Sequence, residues 1–309
     1  MIKAGIVGDH TVATGELIRL MLRHPDVALE WVSCPGLEGR RVDSLFRGLT
    51  GETDMTVVAD HTASDVDVVI CERWSDTVVE AAPPELRVID LTRTKTEAEG
   101  YVYGLAEMGR RRLVDGCAHI VLPSPEAMVI LLALLPLGKH LMLGGTIDVE
   151  LRGAATVSAG LVAEVERAIR QVQQSFTGHV RITKADDPSD MLRADVRLDV
   201  NIDVALLGEL FANTYERHNF TYIIGRQPEG DDVEGTNKCL VTLARDDDGR
   251  LHVSTVIDPL MKGRCTTAVH LLNLLFGLYE RVGLDLYGCA RSVITAPTPI
   301  CQNEKTSNT

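Results

Sequence analysis

Residues 121–138 read VLPSPEAMVILLALLPLG, a short strand feeding an apolar helix. Many α/β enzymes place a reactive side chain at such a junction. Here the residue at the helix mouth is Pro125, which has no side-chain chemistry. Ser124 before it fits an N-cap, Pro125 the first helical position and Glu126 the first turn, so helix capping alone accounts for all three. Ser124 could act as a nucleophile only with a base to activate it, and the sequence assigns no histidine beside it. Two thiols are the other candidates. Cys117 lies in DGCAH with His119 two places on, and Cys265 lies in KGRCTTA. If the chain from Cys117 to Ser124 is extended, at about 3.3 Å per residue, its ends lie roughly 20–26 Å apart. Cys117 then falls toward the amino end of the strand, away from the carboxyl edge where open α/β sheets bind ligands.

The elements that must position these groups alternate in type. KAGIVGDHTVATGELIRLMLRH is a buried strand, a loop and an amphipathic helix with Leu17, Ile18, Met21 and Leu22 on one face. VALEWVSC, VDVVIC, LRVIDLT and HIVLPS read as four further strands. That alternation predicts βαβ units and a parallel sheet. After Gly145 the pattern changes. TIDVELRGAATVSA is strand-like, Gly160 to Ser175 is helical, and ADVRLDVNIDV alternates with period two. KCLVTLARDDDGRLHVSTVID folds back at DDDG as a hairpin. TTAVHLLNLLFGLYERVG is a helix with a glycine stop. The expected fold class is α/β: a Rossmann-like parallel-sheet domain over 1–145, joined by the C-terminal helix 266–283, then an α+β domain with a largely antiparallel sheet over 146–300. Residues 301–309 are expected to be a flexible tail.

Composition narrows the function classes. Against 31 basic residues stand 44 acidic ones, a net charge of −13, which argues against nucleic acid or an anionic membrane as main partner. The apolar run near the N-terminus is broken by Asp9 and lacks the shape of a secretory leader. The longest apolar stretch, 127–138, falls short of the ~20 residues of a membrane span. Seven cysteines without paired CxxC spacing suit free thiols in the cytoplasm and give no metal site.

The order GELIRLMLRHPDV, VIDLT, YGLAEM, LLALLPL, GTNKC, IDPLMKG and NLLFGL resembles the N-acetyl-gamma-glutamyl-phosphate reductase family of the aspartate-semialdehyde dehydrogenase superfamily, across nearly the whole chain. The resemblance implies a two-domain homo-oligomer, dimer or tetramer, whose relatives reduce an acyl phosphate to a semialdehyde with NADPH. In them a cysteine is the nucleophile and a histidine the acid/base. The scaffold motifs match while the site loops depart. The family's G-x-x-G-x-x-G turn becomes Gly8, Asp9, His10, Thr11, Val12, Ala13, Thr14, with Gly15 one place later. The threonines bring Cβ atoms into the space where glycines let the backbone approach a pyrophosphate, and Asp9 adds negative charge. The family's Ser-Arg becomes Cys34 and Pro35, with Arg40 and Arg41 nearby, and its A-L-P-H-G becomes Glu72, Arg73, Trp74, Ser75, Asp76, which either forms a new polar pocket or, the favoured reading, plugs the old one. The cysteine position is Pro125. The histidine-bearing segment aligns with Ala159–Glu166, so both histidines become apolar, with His179 and His218 as distant substitutes. The cofactor candidates that the resemblance leaves are Gly8, Thr11, Thr14, Gly15, Asn237, Lys262 and Gly263, with Thr266 at a family glycine. Arg193 is the candidate anion contact. NADP or NAD binding is expected to be weak or absent. Two readings follow: a binding, regulatory or assembly protein without acyl-phosphate reduction and with its small-molecule or protein partner unnamed, or an active NAD(P)-dependent oxidoreductase with a rearranged site.

Overall fold

The computed structural model describes residues 1–80 and 82–288. The predicted tail 301–309, and the residues from 289 to 300 of the predicted second domain, lie outside the described residues. The first sheet is parallel throughout, in the order β2-β1-β3-β4-β6-β5. Its strands are β1 (Ile2–Val7), β2 (Val27–Ser33), β3 (Val68–Cys71), β4 (Arg87–Asp90), β5 (Val102–Tyr103) and β6 (His119–Val121). β3 is buried along its whole length, as a strand covered on both faces must be. Helices α1 (Val12–Leu22), α2 (Val42–Leu45), α3 (Asp76–Val79) and α4 (Ala106–Val114) connect the strands.

α5 (Pro125–Lys139) leads into the second sheet. Its residues from Ala127 to Gly138 are all buried, which explains why it carries no polar stripe. Pro136 sits inside α5 and cannot donate to the carbonyl of Leu132. The Tyr215 hydroxyl donates to that carbonyl instead, at 2.5 Å, so the proline is tolerated without an orphaned acceptor.

The second sheet runs β10-β11-β12-β9-β7-β8. It comprises β7 (Thr146–Gly153), β8 (His179–Lys184), β9 (Leu192–Leu198), β10 (Thr221–Ile223), β11 (Cys239–Arg245) and β12 (Leu251–Ile257). The four inner strands are antiparallel and the two edge pairs parallel. Helices α6 (Leu161–Val172) and α7 (Val204–Tyr215) join α5 in one core with this sheet. α8 (Thr266–Leu275) returns to the first sheet, where Ala268, Val269 and Leu272 share a core with Ile6, Leu17 and Ile18.

Several expectations are corrected. The C-terminal helix ends at Leu275 and not at 283, because Gly277 takes a left-handed conformation (φ 67°). The strand beginning TIDVELRG stops at Gly153, also left-handed, where a Cβ would fall 1.9 Å from the Met191 carbonyl. The ADVRLDVNIDV strand ends at Leu198, and Asp203 caps α7, accepting from the Ala205 N–H. Short β5 and β10, edge strand β8 and helices α4 and α7 are additions that the hydrophobic pattern did not announce.

Candidate functional site

The helix mouth lies at the carboxyl edge of the first sheet, where β6 ends and α5 begins. Ser124 caps α5 by accepting from the Ala127 N–H at 3.2 Å. Its hydroxyl also donates to Glu164 Oε2 at 2.7 Å, and its own N–H donates to Glu164 Oε1 at 3.0 Å. Glu164 comes from the first turn of α6 and takes a third donor, the Tyr103 hydroxyl, at 3.0 Å. Burial, then the adjacent Glu164 carboxylate, pushes the Tyr103 hydroxyl well above its usual range. Pro125 packs on Gly263: a Cβ at 263 would lie 2.9 Å from that of Pro125. Sequence reasoning placed Ser124 and Pro125 here but missed Tyr103 and Glu164. The acidic residue in the first turn of α6 was visible, but its partners lie 40 and 61 residues away.

A cleft of about 310 Å³ opens beside these residues, lined in part by Arg93, Lys95, Ser158, Glu164 and Arg167. Arg93 takes the left-handed conformation (φ 62°), unusual for a side-chain-bearing residue, and makes no ion pair among the described residues. Lys95 faces Glu99 at 3.4 Å and Glu80 at 3.6 Å, and Arg167 faces Glu97 at 3.7 Å. The two aligned histidine positions hold an exposed Ala159 and a buried Leu161. His179 is exposed, 3.9 Å from Glu166. His218 stacks edge-on with Tyr215 and burial lowers its pKa.

At the first βα turn, Thr11 caps α1 by accepting from the Thr14 N–H at 3.2 Å. Thr14 is fully buried. Its hydroxyl donates to Glu72 Oε2 at 3.3 Å and lies 3.2 Å from that of Thr11. The Thr14 side chain fills the space beside Gly8, where a Cβ would come within 2.4 Å of its Oγ1. Gly15 instead makes room for the Phe46 ring. The other oxygen of Glu72 accepts from Arg264 at 3.0 Å. Arg73 reaches across to Asp60 at 2.7 Å, to Asp9 at 3.5 Å and to the Gly8 carbonyl at 3.4 Å. Asp60 also accepts from Ser33 and Ser75. Burial would raise its pKa, but these donors and Arg73 outweigh that and hold it below the usual value. The loop 72–76 is therefore tied down at both ends, through Glu72 and Ser75.

The remaining candidates are engaged internally. Lys262 and Glu107 form a buried pair, Nζ to Oε1 at 2.7 Å. Asn237 donates to the Leu284 carbonyl at 3.0 Å. Arg193 lies on β9 and donates to Asp195 at 2.8 and 3.1 Å; Asp195 also accepts from Arg152, His252 and Ser254. Cys117 precedes β6, with Sγ 3.6 Å from the Leu113 carbonyl, and burial raises its pKa. Cys265 is buried beneath α1, with Sγ 3.5 Å from the Ala13 carbonyl, and burial raises it far above the usual range. Arg41 pairs with Asp43 and Asp54 at the surface. The Thr266 hydroxyl is buried with no hydrogen-bond partner among the described residues. Among those residues no group of three His, Cys, Asp or Glu could hold a metal, and no helix is long and apolar enough to cross a membrane.

A parallel sheet with a cleft at its carboxyl edge, followed by a mixed sheet packed on three helices, is the architecture of the semialdehyde dehydrogenases. The chain superimposes on aspartate semialdehyde dehydrogenase II from Vibrio cholerae, complexed with ASA, with a TM-score of 0.69 over 90% of this chain and 99% of that one, at 16% identity. The aspartate semialdehyde dehydrogenase with NADP from Candida albicans gives 0.66 over 89% and 98%, at 11% identity. A scan against models of known protein families finds no match. Full-length relatives are more specific. N-acetyl-gamma-glutamyl-phosphate reductase from Parabacteroides distasonis is 33% identical over 93% of this chain and 98% of its own length. The proteins of that name from Phocaeicola vulgatus and Bacteroides thetaiotaomicron are 31% and 32% identical over the same shares. The chain belongs to the N-acetyl-gamma-glutamyl-phosphate reductase family, as its scaffold motifs imply.

Proposed function

We propose that this family member does not perform NADPH-dependent reduction of an acyl phosphate and instead has a binding, regulatory or assembly role, with the cleft beside Ser124 as its ligand site. The observation that carries this reading is the filled phosphate turn. A dinucleotide cradle needs the space a glycine leaves beside the helix N-terminus. Here the buried Thr14 occupies it and holds Glu72 at 3.3 Å. These residues do not fit a pyrophosphate: its phosphates would meet two carboxylates, Asp9 and Glu72, at the helix end that favours anions. NADP(H) and NAD(H) binding is accordingly weak or absent.

The helix mouth supports the same reading. A thiol at a helix N-terminus is activated by the helix dipole, and Pro125 offers none. The Ser124 hydroxyl donates to Glu164 and accepts from Ala127. Glu164 already accepts three donors and so acts as a clamp on Ser124. What the cleft does offer is Arg93, Lys95 and Arg167 around its rim, which suits a small anion. The relatives' name makes a glutamyl-derived carboxylate or phosphate the first to try. Self-association as a dimer or tetramer belongs to the proposal and is read by light scattering.

The test pairs calorimetry of NADPH and NADH with an assay of NADPH-dependent reduction of N-acetyl-gamma-glutamyl phosphate. Both are expected to be negative. Low-micromolar NADPH binding, or turnover, returns the protein to the oxidoreductase reading.

A further inference from the structure

Helix α4 carries three consecutive arginines at the edge of the first sheet. Gly109 leaves helical geometry in its middle (φ −142°, ψ 40°), so Arg110, Arg111 and Arg112 begin a separate short turn. Between that turn, edge strand β5 and the last turns of α5 and α6 lies a cavity of about 300 Å³. Arg112, Lys139 and Gln171 line it together with the apolar Val102, Met108 and Val172. Tyr103 separates it from the cleft at Ser124, lining both.

A charge census shows what the cavity lacks. Arg110 is paired with the buried Glu280 at 2.5 Å, and Arg111 with Asp115 at 3.0 Å. Arg112 has no ion pair or side-chain hydrogen bond among the described residues. Lys139 donates to the main-chain carbonyl of Glu107 at 2.8 Å, a neutral acceptor. The Glu107 carboxylate is held by Lys262 and Thr221. Gln171 donates to Glu97 at 2.7 Å. Arg112 therefore meets no carboxylate, and Lys139 forms no ion pair and feels only the Glu107 carboxylate that Lys262 holds, in a chain whose net charge is −13.

We propose that this cavity is an anion site for a small organic oxyanion, phosphate or carboxylate, with a short aliphatic body. The Arg112 fork and the two remaining Lys139 N–H groups supply charge-assisted donors. Val102, Met108 and Val172 take the aliphatic part. The volume lies at the lower end of the range for small-molecule sites, about 300–1,000 Å³. The site is independent of the state of the cleft and of the cofactor turn.

The experiment is calorimetric titration of the full chain with pyrophosphate and, in parallel, succinate, at low ionic strength because exposed charges are screened by salt. A saturable component that depends on Arg112 and Lys139 is expected for at least one probe, apart from any binding in the cleft, and the preferred probe identifies the head group. Losing one charged donor from such a contact weakens binding about tenfold or more. Arg112→Ala and Lys139→Met should each do so, while Arg93→Asn, which removes a cation of the cleft, weakens only binding there. Both cavity substitutions alter partly exposed side chains, and their folding is checked by circular dichroism. No saturable binding of either probe overturns the proposal. So does binding that neither cavity substitution weakens, or binding lost wholly with Arg93→Asn.

Discussion

Lys262→Met separates a structural lysine from a cofactor contact. Met has nearly the same length, so the wide helical turn over Met261–Cys265 keeps its filling while Glu107 loses its cation. The pair is almost wholly buried, at 2% and 3% side-chain exposure. Thr221, at 3.1 Å, is then the side-chain donor left to the carboxylate. Removing one partner of a buried pair costs about 3–5 kcal/mol. At roughly 2–4 °C per kcal/mol, the apparent Tm falls by about 6–20 °C. The pH dependence gives a sharper signature. Burial alone would raise the Glu107 pKa, but Lys262, then His218 and His270, pull it down to about 2 from a usual 4.5. Its folded value is depressed, so its stabilisation is complete above about 4.5 and is lost as pH falls through about 2. In Lys262→Met burial wins and the folded pKa rises above the unfolded one. Protonation then favours the folded state, and the deficit shrinks between pH 7 and pH 5. Adding Glu107→Gln removes the orphaned charge and recovers most of the loss. Thermal denaturation followed by circular dichroism at both pH values measures all of this. A shift below about 2 °C at pH 7, under 1 kcal/mol on the same scale, or a deficit that grows at pH 5 refutes the reasoning and returns Lys262 to the cofactor candidates.

Ser124→Ala removes the cap of α5 and a hydroxyl donor to Glu164; urea denaturation should show a loss of about 1–2 kcal/mol, and an unchanged midpoint would count against the clamp. Iodoacetamide at pH 6 should label none of the five described cysteines quickly, because burial pushes Cys34 up to about 11 and raises Cys71, Cys117, Cys239 and Cys265 as well; one fast site mapped among them refutes this. Pro125→Cys should gain a reactive thiol at the start of α5 yet consume no NADPH with N-acetyl-gamma-glutamyl phosphate, since nucleophile, base and cofactor turn act as a unit. A rate like that of an active relative would show that the rest of the site is intact.

The sequence made the parallel sheet, the α5 helix start and the hairpin legible because each rests on local signals: buried apolar runs, a Ser-Pro-Glu cap, a DDDG turn. It concealed β5, at two residues too short for any period, and β8, whose side chains are mostly exposed. The end of α8 was misplaced because two left-handed glycines, Gly277 and Gly283, follow one another. Within the site, the substitutions at Thr14 and Pro125 could be read by position. Their partners could not, because Glu72, Glu164 and Glu107 are joined to them or their neighbours only by the fold. Lys262 and Asn237 looked like ligand contacts for the same reason: a polar residue in a conserved-looking motif gives no sign of a partner 155 or 47 residues away.

Those partnerships bear on function together. A site awaiting a charged ligand keeps donors or acceptors unpaired, because the ligand completes them. Around the cofactor turn and the helix mouth most charged groups are paired within the chain: Thr14 and Arg264 on Glu72, Arg73 on Asp60 and Asp9, Ser124 and Tyr103 on Glu164, while Arg264 Nε and the Thr266 hydroxyl are buried without a partner among the described residues. Opening any of them for a dinucleotide would cost the desolvation of a charged group before a phosphate contact formed. Cations without an ion pair among the described residues include Arg47, in a cavity against the first βα turn, Arg93 on the cleft rim, and Arg112 and Lys139 behind Tyr103. Under the proposed reading the reductase scaffold is kept, and a ligand is best sought in the two anion-sized cavities on either side of Tyr103.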